Sequence, residues 1–351
     1  MKNKIIKSAK DSRTDKTAKN KIRAKNNRTT FVSKEEVLKF EKRLLSVKDT
    51  SSNNFLNKTI YGALEDVAEK LPKHFVDLLF IDPPYNLNKD FGNNQFKEKS
   101  DKDYERTFEK WFLSIKHTLK NTASVYVCCD WKSSTSIYSV LNKYLTVRNR
   151  ITWEREKGRG ALSNWKNCSE DIWFATVSNK YCFNVEAVKI KKKVIAPYKE
   201  NGVAKDWTEN EEGKFRLTYP SNLWTDITIP FWSMPENTDH PTQKPEKLVA
   251  KIILASTNEN EVVFDPFLGS GTTSVVAKKL NRKYIGVEMN KEYCCLSEKR
   301  IILADTEKSI QGYSGGIFWE RNSLNIQKDN VVKGRTRSKN NIYEPKLFPE
   351  K

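Results

Sequence analysis

The amino-acid sequence predicts an α/β protein built on a doubly wound, mostly parallel sheet, with a less regular region inserted between its two halves. Two observations predict this. Short apolar segments typical of buried strands alternate with segments of helical periodicity, as in strands joined by crossover helices. Between about residues 155 and 236 this alternation stops, and tryptophans and lysines are spread through the segment without a clear period.

The first half of the predicted sheet extends to about Ile151. A helix should begin after Ser33, because Ser33 and Glu36 form a capping-box pattern. A continuous apolar run over 76–81 predicts a buried strand that the following prolines would end, and further strands are expected over 124–129 and near Ile151. Helical spacing of apolar residues predicts three helices, through Val37, Phe40, Leu44 and Leu45, through Phe108, Trp111, Phe112, Ile115 and Leu119, and through Ile137, Val140 and Leu141.

The α/β pattern returns after Pro245. Helices are predicted over 248–255, over 275–280 and after Asn290, and strands over 262–264 and 284–287. These patterns divide the chain into a disordered basic tail over 1–30, a first α/β half over 31–155, an inserted region over 156–236, a second α/β half over 237–310 and a C-terminal extension over 311–351.

The chain is strongly basic. Its 351 residues include 63 Lys plus Arg and 44 Asp plus Glu, a formal charge of +19, and residues 1–28 alone hold eleven of the basic residues. Such an excess favours a polyanionic partner, either nucleic acid or an anionic membrane surface, although the tail could equally be a solvated extension. No apolar run reaches the roughly 18 residues of a membrane span, and no apolar segment follows the basic start, so a cytoplasmic location is expected.

The cysteines and histidines do not predict a metal site. The six cysteines contain no Cys-x-x-Cys pair, and the three histidines are scattered along the chain. Reduced cysteines that behave as small buried apolar residues are therefore expected.

The first motif with chemical meaning is Asp82-Pro83-Pro84-Tyr85, directly after the strand predicted over 76–81. Carboxyl ends of parallel strands are where open α/β sheets bind ligands. The two prolines stiffen the turn and remove two backbone donors, which leaves carbonyl oxygens as acceptors. A flat ring that carries an amine could stack on Tyr85 and donate to the Asp82 carboxylate and the Pro83 carbonyl.

The second motif, over 262–273, predicts a strand, a glycine turn and the start of a helix. Gly269 and Gly271 permit close backbone approach, and a helix that starts at Thr272 would offer free N–H groups to an anion. Glu288 ends the next predicted strand, where an acid receives ribose hydroxyls in nucleotide-binding folds. The P-loop pattern GxxxxGK[ST] is absent, so the motif predicts an adenosine-containing cofactor of another kind.

Together the two motifs resemble those of the amino-group DNA methyltransferases that use S-adenosylmethionine. Asp82-Pro83-Pro84-Tyr85 is similar to the catalytic motif of that family, and Phe267-Leu-Gly-Ser-Gly271 to its methionine-binding motif. Asp82 precedes Asp265 by 183 residues, an order that resembles the beta class, in which the target-recognition region lies between the motifs. The segment over 240–245 also resembles the beta-class segment ahead of the glycine motif, and the resemblance covers roughly residues 57–302.

The resemblance implies a circularly permuted, Rossmann-like domain that moves a methyl group from S-adenosylmethionine to an exocyclic amine in double-stranded DNA, after the base has flipped out. Asp82, Pro83, Pro84 and Tyr85 would be catalytic, without a metal. Lys244 would either meet the cofactor carboxylate or cap the helix that follows it. The residues expected at the cofactor are Asp82, Lys244, Asp265, Phe267, Gly269, Ser270, Gly271, Thr272 and Glu288.

The resemblance says less about which atom is methylated and which partners bind the protein. In the family an acid at the first catalytic position goes mostly with adenine, so Asp82 favours N6 of adenine, with N4 of cytosine as the alternative. An RNA methyltransferase and a non-catalytic DNA-binding protein are further alternatives. A homodimer and a cognate restriction endonuclease are partners that the sequence leaves open, and no membrane partner is expected.

One departure from the family pattern concerns the adenine end of the cofactor. The family usually has a Gly-Asp pair ahead of the catalytic strand, where this chain has Gly62 and Ala63, so Glu65 or Asp66 would have to replace the acid. Trp165 and Trp173 are expected in the core. The basic residues expected to contact nucleic acid are Arg155, Lys157, Arg159, Lys191 and Lys192.

Overall fold

The computed structural model of the protein describes residues 24–51, 54–86, 89–90, 95–96, 98–155, 162–195, 197–210 and 213–321. The helices in these ranges are α1 (Lys34–Glu41), α2 (Leu64–Ala68), α3 (Asp101–Lys116), α4 (Ser134–Tyr144), α5 (Glu246–Ser256), α6 (Thr272–Lys279) and α7 (Lys291–Leu303), with short 3-10 helices at Val47–Ser51 and Val185–Val188. The strands are β1 (Leu45–Ser46), β2 (Lys58–Tyr61), β3 (Val76–Ile81), β4 (Lys89–Asp90), β5 (Gln95–Phe96), β6 (Leu119–Cys129), β7 (Thr146–Glu154), β8 (Ser169–Thr176), β9 (Ile190–Lys193), β10 (Lys199–Glu200), β11 (Val203–Ala204), β12 (Thr208–Asn210), β13 (Gly213–Thr218), β14 (Leu223–Trp224), β15 (Val262–Asp265), β16 (Lys283–Glu288), β17 (Tyr313–Ser314) and β18 (Ile317–Trp319).

The central sheet contains nine strands of the described part of the chain, in the order β1-β2-β16-β15-β3-β6-β8-β7-β14. Every neighbouring pair is parallel except the two pairs that involve β8, which runs antiparallel to both β6 and β7. Strands β15 and β16, from late in the chain, lie between β2 and β3, from its first half. The predicted doubly wound, mostly parallel sheet is confirmed, and its strand order brings the two sequence motifs onto neighbouring strands.

Both faces of the sheet are covered at β3. Leu78 and Phe80 belong to a cluster on one face with residues of α5 and α6, whereas Leu79 and Ile81 pack on the other face with residues of α3 and α4. All six residues of β3 are buried, including Asp77, which pairs with Lys120 at 2.7 Å. The apolar residues of this run therefore predict the strand correctly, since a strand covered on both faces has apolar residues on both sides.

Two of the predicted helices are shorter than their apolar spacing suggested. The capping box at Ser33 is present, but α1 ends at Glu41, and Leu45 pairs with Ile60 as the start of the edge strand β1. Likewise α3 ends at Lys116, and Leu119 begins β6. In both cases an apolar residue in phase with the helix belongs to the strand that follows instead, and Leu119 is buried there.

The inserted region departs from its predicted boundaries. Strands β8 and β14 lie inside the expected 156–236 segment, yet both belong to the central sheet, where β8 is hydrogen-bonded between β6 and β7 and β14 pairs with β7. The remainder includes a smaller five-stranded sheet in the order β12-β13-β9-β18-β17. Its strands β17 and β18 come from the expected C-terminal extension, because residues 313–319 return to pair beside β9.

The expected basic tail is ordered over its last residues. The Arg28 N–H donates to the Trp232 carbonyl at 2.7 Å and the Thr30 N–H to the Asn237 carbonyl at 2.7 Å, so residues 24–30 pack on the core. Residues 1–23 and 322–351 lie outside the described residues. None of the helices in the described ranges combines the length and apolar character needed to cross a membrane. Cys128, Cys129, Cys294 and Cys295 are buried as expected, whereas Cys168 is exposed.

Candidate active site

The two sequence motifs meet at one cavity at the carboxyl edge of the central sheet. Strands β3 and β15 are hydrogen-bonded neighbours, so the turns that follow Ile81 and Asp265 lie side by side. The cavity has a volume of about 390 Å³. The predicted site residues that line it are Asp82, Pro83, Pro84, Tyr85, Arg155, Lys244, Asp265, Phe267, Gly269, Ser270, Thr272 and Glu288.

The Asp-Pro-Pro-Tyr turn is held from outside the cavity. The Tyr104 hydroxyl of α3 donates to the Pro84 carbonyl at 3.0 Å. Directly after the turn, the Asn86 side chain accepts from the Lys99 N–H at 2.7 Å and donates to the Lys99 carbonyl at 2.8 Å. These contacts fix the backbone on both sides of Tyr85 and leave the Asp82 side chain facing the cavity.

Lys244 contacts the Asp-Pro-Pro-Tyr turn, which the sequence did not predict. The two roles expected for it were contact with the cofactor carboxylate and capping of the helix that follows. Its ammonium nitrogen lies 2.7 Å from each carboxylate oxygen of Asp82 and 3.1 Å from the Tyr85 hydroxyl. Burial raises the pKa of Asp82, and the Lys244 charge opposes that effect. Burial alone would lower the pKa of Lys244, but the Asp82 and Glu170 carboxylates hold it above the ordinary lysine value. Each charge of this pair thus favours the charged form of the other.

Sequence reasoning missed Glu170, a buried acid at the start of β8. One oxygen of Glu170 accepts from the Tyr85 hydroxyl at 3.1 Å and lies 3.4 Å from the Lys244 nitrogen. The other oxygen pairs with Arg155, an expected nucleic-acid contact, which also forms part of the cavity wall. The available signal was an acid at the beginning of an apolar segment, but Glu170 lay in the region without periodicity.

The glycine turn has a backbone that favours glycine at two positions. Gly269 has φ of +53° and Gly271 has φ of +82°. The Gly269 N–H donates to one oxygen of Glu288 at 2.9 Å, and the Asn290 N–H donates to the other at 2.7 Å. Gly271 precedes α6 and packs against Ser297 of α7, so it shapes the turn without lining the cavity.

Asp265 and its neighbours form a second polar group beneath the turn. The Asp265 carboxylate accepts from the Thr273 hydroxyl at 2.6 Å and from the Phe267 N–H at 3.0 Å. Burial raises the pKa of Asp265 to about 7, against these hydrogen bonds. Burial also raises the pKa of Glu288.

A buried arginine that the sequence did not single out holds Ser270 of the turn and Thr272 at the start of α6. The Arg300 guanidinium of α7 donates to the Ser270 carbonyl at 2.9 Å and to the Thr272 hydroxyl at 3.0 Å. Its other nitrogen pairs with the buried Glu246 at 3.0 Å. Arg300 thereby ties the start of α6 to α5 and α7.

Of the two acids that could replace the missing family Asp, Glu65 is the one that lines the cavity. Gly62, Ala63 and Glu65 line the cavity, whereas Asp66 is not among its lining residues. The Glu65 carboxylate accepts from the Trp111 indole N–H at 3.2 Å, and the Trp111 ring packs edge-on against Phe267 with centroids 5.1 Å apart. This end of the cavity therefore combines one acid with two aromatic side chains.

Several predicted nucleic-acid contacts lie away from the cavity. Lys191 and Lys192 are on β9 of the smaller sheet, and the Lys191 nitrogen lies 4.5 Å from the ring centroids of Phe215 and Trp319. Lys157 and Arg159 fall outside the described residues. Trp165, expected in the core, is 96% exposed, and Trp173 is half-buried against Tyr138 with ring centroids 4.9 Å apart.

An acid-Pro-Pro-aromatic turn beside a glycine turn, on neighbouring strands of a permuted parallel sheet, defines an amino-group methyltransferase of the beta class. Comparison with known proteins agrees: the profile of the DNA methylase family matches residues 76–299. The chain belongs to this DNA methylase family, as its motifs predicted.

Two curated relatives and one solved structure show the extent of the likeness. The type II methyltransferase M.HpaI of Haemophilus parainfluenzae is 32% identical over 236 residues, 66% of this chain and 70% of the relative. The DNA adenine methyltransferase YhdJ of Escherichia coli K12 is 32% identical over 258 residues, 73% of this chain and 86% of the relative. The PvuII DNA methyltransferase, described as cytosine-N4-specific, is 18% identical with a TM-score of 0.50, covering 79% of this chain and 93% of that one, which shows a shared fold.

Proposed function

We propose that this protein is an S-adenosylmethionine-dependent DNA methyltransferase that methylates the N6 amine of adenine. The observation that carries the proposal is the meeting of the Asp82 carboxylate and the glycine turn at one cavity. One motif suits the exocyclic amine and the other suits the cofactor, so the two reactants would lie close together. Holding both reactants in the attack geometry is the main contribution that such a site makes to the rate.

The residues at the glycine turn fit S-adenosylmethionine. A volume of about 390 Å³ is within the range of small-molecule sites. Glu288 suits the ribose hydroxyls, and the start of α6 suits the methionine carboxylate, because free N–H groups and the helix dipole favour an anion there. Glu65 and Phe267 suit the adenine ring. When bound, the cofactor supplies a methyl group made electrophilic by a sulfonium sulfur.

The Asp-Pro-Pro-Tyr turn acts on the amine. An exocyclic amine is a weak nucleophile because its lone pair is delocalised into the base. Hydrogen bonds from its two N–H groups to the Asp82 carboxylate and the Pro83 carbonyl favour a pyramidal nitrogen with its lone pair directed at the methyl group. Tyr85 provides a face on which the base stacks. Asp82 accepts these bonds as a carboxylate, and the Lys244 charge 2.7 Å away favours that ionised form.

The target amine of a paired adenine lies inside the duplex, so the base has to leave the stack to reach Asp82. The +19 charge of the chain suits binding to the negatively charged phosphate backbone of DNA. The proposed phosphate contacts remain Lys157, Arg159, Lys191 and Lys192. Arg155 is proposed to contact the nucleic acid from the cavity wall. We also propose a cytoplasmic location, while a homodimer and a cognate endonuclease stay predictions.

The choice of adenine rests on Asp82 and on the relative named as a DNA adenine methyltransferase, which matches 73% of this chain. The experiment is incubation with DNA and methyl-labelled cofactor, followed by digestion to nucleosides. N6-methyladenine is the expected product. N4-methylcytosine alone would refute the choice of base and leave the mechanism standing, and labelling of RNA but not DNA would refute the choice of substrate.

A further inference from the structure

Four charged side chains, two of them buried and two partly buried, form one cluster at the Asp-Pro-Pro-Tyr turn. The carboxylates are Asp82 and Glu170, and the cations are Lys244 and Arg155. Glu170 is 4% exposed and Lys244 is 7% exposed. Within the cluster the two negative and two positive charges balance, so each ion has an opposite charge within reach.

The fold itself places Glu170 beside Asp82. Strand β8 is antiparallel to β6 and β7, so its first residues lie at the edge where the parallel strands end. Glu170 is in register with Trp153 of β7, and Arg155 follows two residues later on the same edge. Reversing one strand of the sheet therefore adds a second carboxylate to the edge that carries the catalytic turn.

The contacts of Lys244 conflict with the proposed chemistry. Its ammonium lies 2.7 Å from both oxygens of Asp82, which is the carboxylate that has to accept a hydrogen bond from the target amine. A carboxylate has about four lone-pair sites, and an ammonium 2.7 Å from both oxygens takes up two of them, so it competes with the target amine for this carboxylate. An ammonium displaced by the amine needs another partner, because an unpaired buried charge is costly.

We propose that Glu170 is a positioning residue, which receives the ammonium of Lys244 when a base amine binds to Asp82. This inference rests on the proposed function. The Glu170 oxygen already lies 3.4 Å from the ammonium, so a small side-chain rotation completes the transfer. Arg155 binds the other oxygen of Glu170 and holds the carboxylate in place. The Tyr85 hydroxyl donates to the same oxygen that receives the ammonium, so the base-stacking ring is bonded to the group that accepts Lys244.

The test is Glu170→Gln, which keeps the size of the side chain and removes its charge. Without that charge Lys244 stays on Asp82, so kcat should fall about tenfold to a hundredfold, the loss expected from one charge-assisted hydrogen bond. Cofactor affinity, measured by calorimetry, and the KM for DNA should change less than threefold. Glu170→Asp keeps the charge and should recover part of the lost kcat.

A double-mutant cycle with Lys244→Gln separates this role from a structural one. If Glu170 acts by receiving Lys244, then Glu170→Gln should change the single-turnover rate less than about twofold once Lys244 is gone. If Lys244→Gln has no measurable rate, the cycle is run on a difference in affinity instead. This is the difference between duplexes with adenine and with purine at the target position, and because purine lacks the exocyclic amine, it measures the contribution of that amine. If Glu170→Gln does not fold, Glu170→Asp takes its place in the cycle.

The matched control is Asp226→Asn, since Asp226 is a buried acid 2.7 Å from both Lys247 and Lys251 and lies outside the cavity lining. It should lower the melting temperature without changing kcat or KM. Equal fold-losses from Glu170→Gln with and without Lys244, or a loss of stability alone, would overturn the proposal. Wild-type methylation of DNA, measured alongside, tests the proposed function separately, because it does not depend on any Glu170 variant.

Discussion

Gly271 of the glycine turn and Gly202, between β10 and β11, offer a matched pair of substitutions, Gly271→Ala and Gly202→Ala. The two glycines have nearly the same backbone, with φ of +82° and +81°. At Gly202 no atom of the described residues lies within 4 Å of the position that a Cβ would take. At Gly271 the Cβ would lie 2.1 Å from the Ser297 hydroxyl oxygen and 2.9 Å from the Ser297 Cα. The pair therefore separates backbone strain from steric overlap.

The expected losses follow from these distances. A left-handed backbone costs an L residue about 1–2 kcal/mol, and this cost is common to both variants. The Ser297 backbone contact cannot be relieved by a rotamer change, so α7 has to move, which adds about 1–3 kcal/mol of the kind seen on overpacking. We expect the free energy of unfolding to fall by about 1–2 kcal/mol for Gly202→Ala and about 2–5 kcal/mol for Gly271→Ala.

The assay is urea unfolding, with the midpoint compared at an unchanged slope. Calorimetric titration with S-adenosylmethionine adds a second readout, because α7 carries Arg300, which holds the Ser270 carbonyl and the Thr272 hydroxyl. Cofactor affinity should fall in Gly271→Ala and stay unchanged in Gly202→Ala. Equal stability losses in the two variants would refute the steric reasoning.

Three further predictions concern catalysis and DNA binding. Asp82→Ala should lower kcat by about a hundredfold or more, because the carboxylate that orients the amine is gone. The protein should still fold and bind DNA, because Lys244 keeps Glu170 as a partner. Near-normal turnover would contradict the mechanism. Trp165→Ala should weaken DNA binding without lowering stability, since the side chain is 96% exposed, and an unchanged affinity would exclude a role at the interface. Deletion of residues 1–23, which hold nine basic side chains, should flatten the salt dependence of DNA affinity, measured by titration at several salt concentrations.

The parts of the fold that the sequence predicted are those with a local signal. The six-residue run of β3 is buried on both faces and is followed by two prolines, so strand, turn and Asp82 could be placed together. Strand β8 gave no such signal, because its first residues are Ser169, Glu170 and Asp171 and its identity as a strand depends on pairing with β6 and β7. Missing β8 meant missing Glu170.

Side-chain partners and exposure were harder to predict than elements. Lys244 lies next to a predicted helix, but its contact with Asp82 joins positions 162 residues apart and depends on the strand order. Trp165 was expected in the core from residue type alone, although apolar residues are also common on surfaces. Glu65 could be named as one of two candidates because it follows Ala63 closely, and of the two only Glu65 lines the cavity.

The charge of the whole protein and the charge of the cluster around Asp82 suit different steps of the proposed reaction, namely DNA binding and methyl transfer. The cluster of Asp82, Glu170, Lys244 and Arg155 is balanced, which suits a nucleobase that enters without a formal charge. Residues 1–23 contain nine basic and two acidic residues, and residues 322–351 contain seven basic and three acidic, so the two ends hold more than half of the +19 excess. Phosphate contacts supply affinity but carry little base information. Changes at the ends of the chain should therefore alter the salt dependence of DNA binding, whereas changes within the cluster should alter the rate of methyl transfer and leave that dependence unchanged.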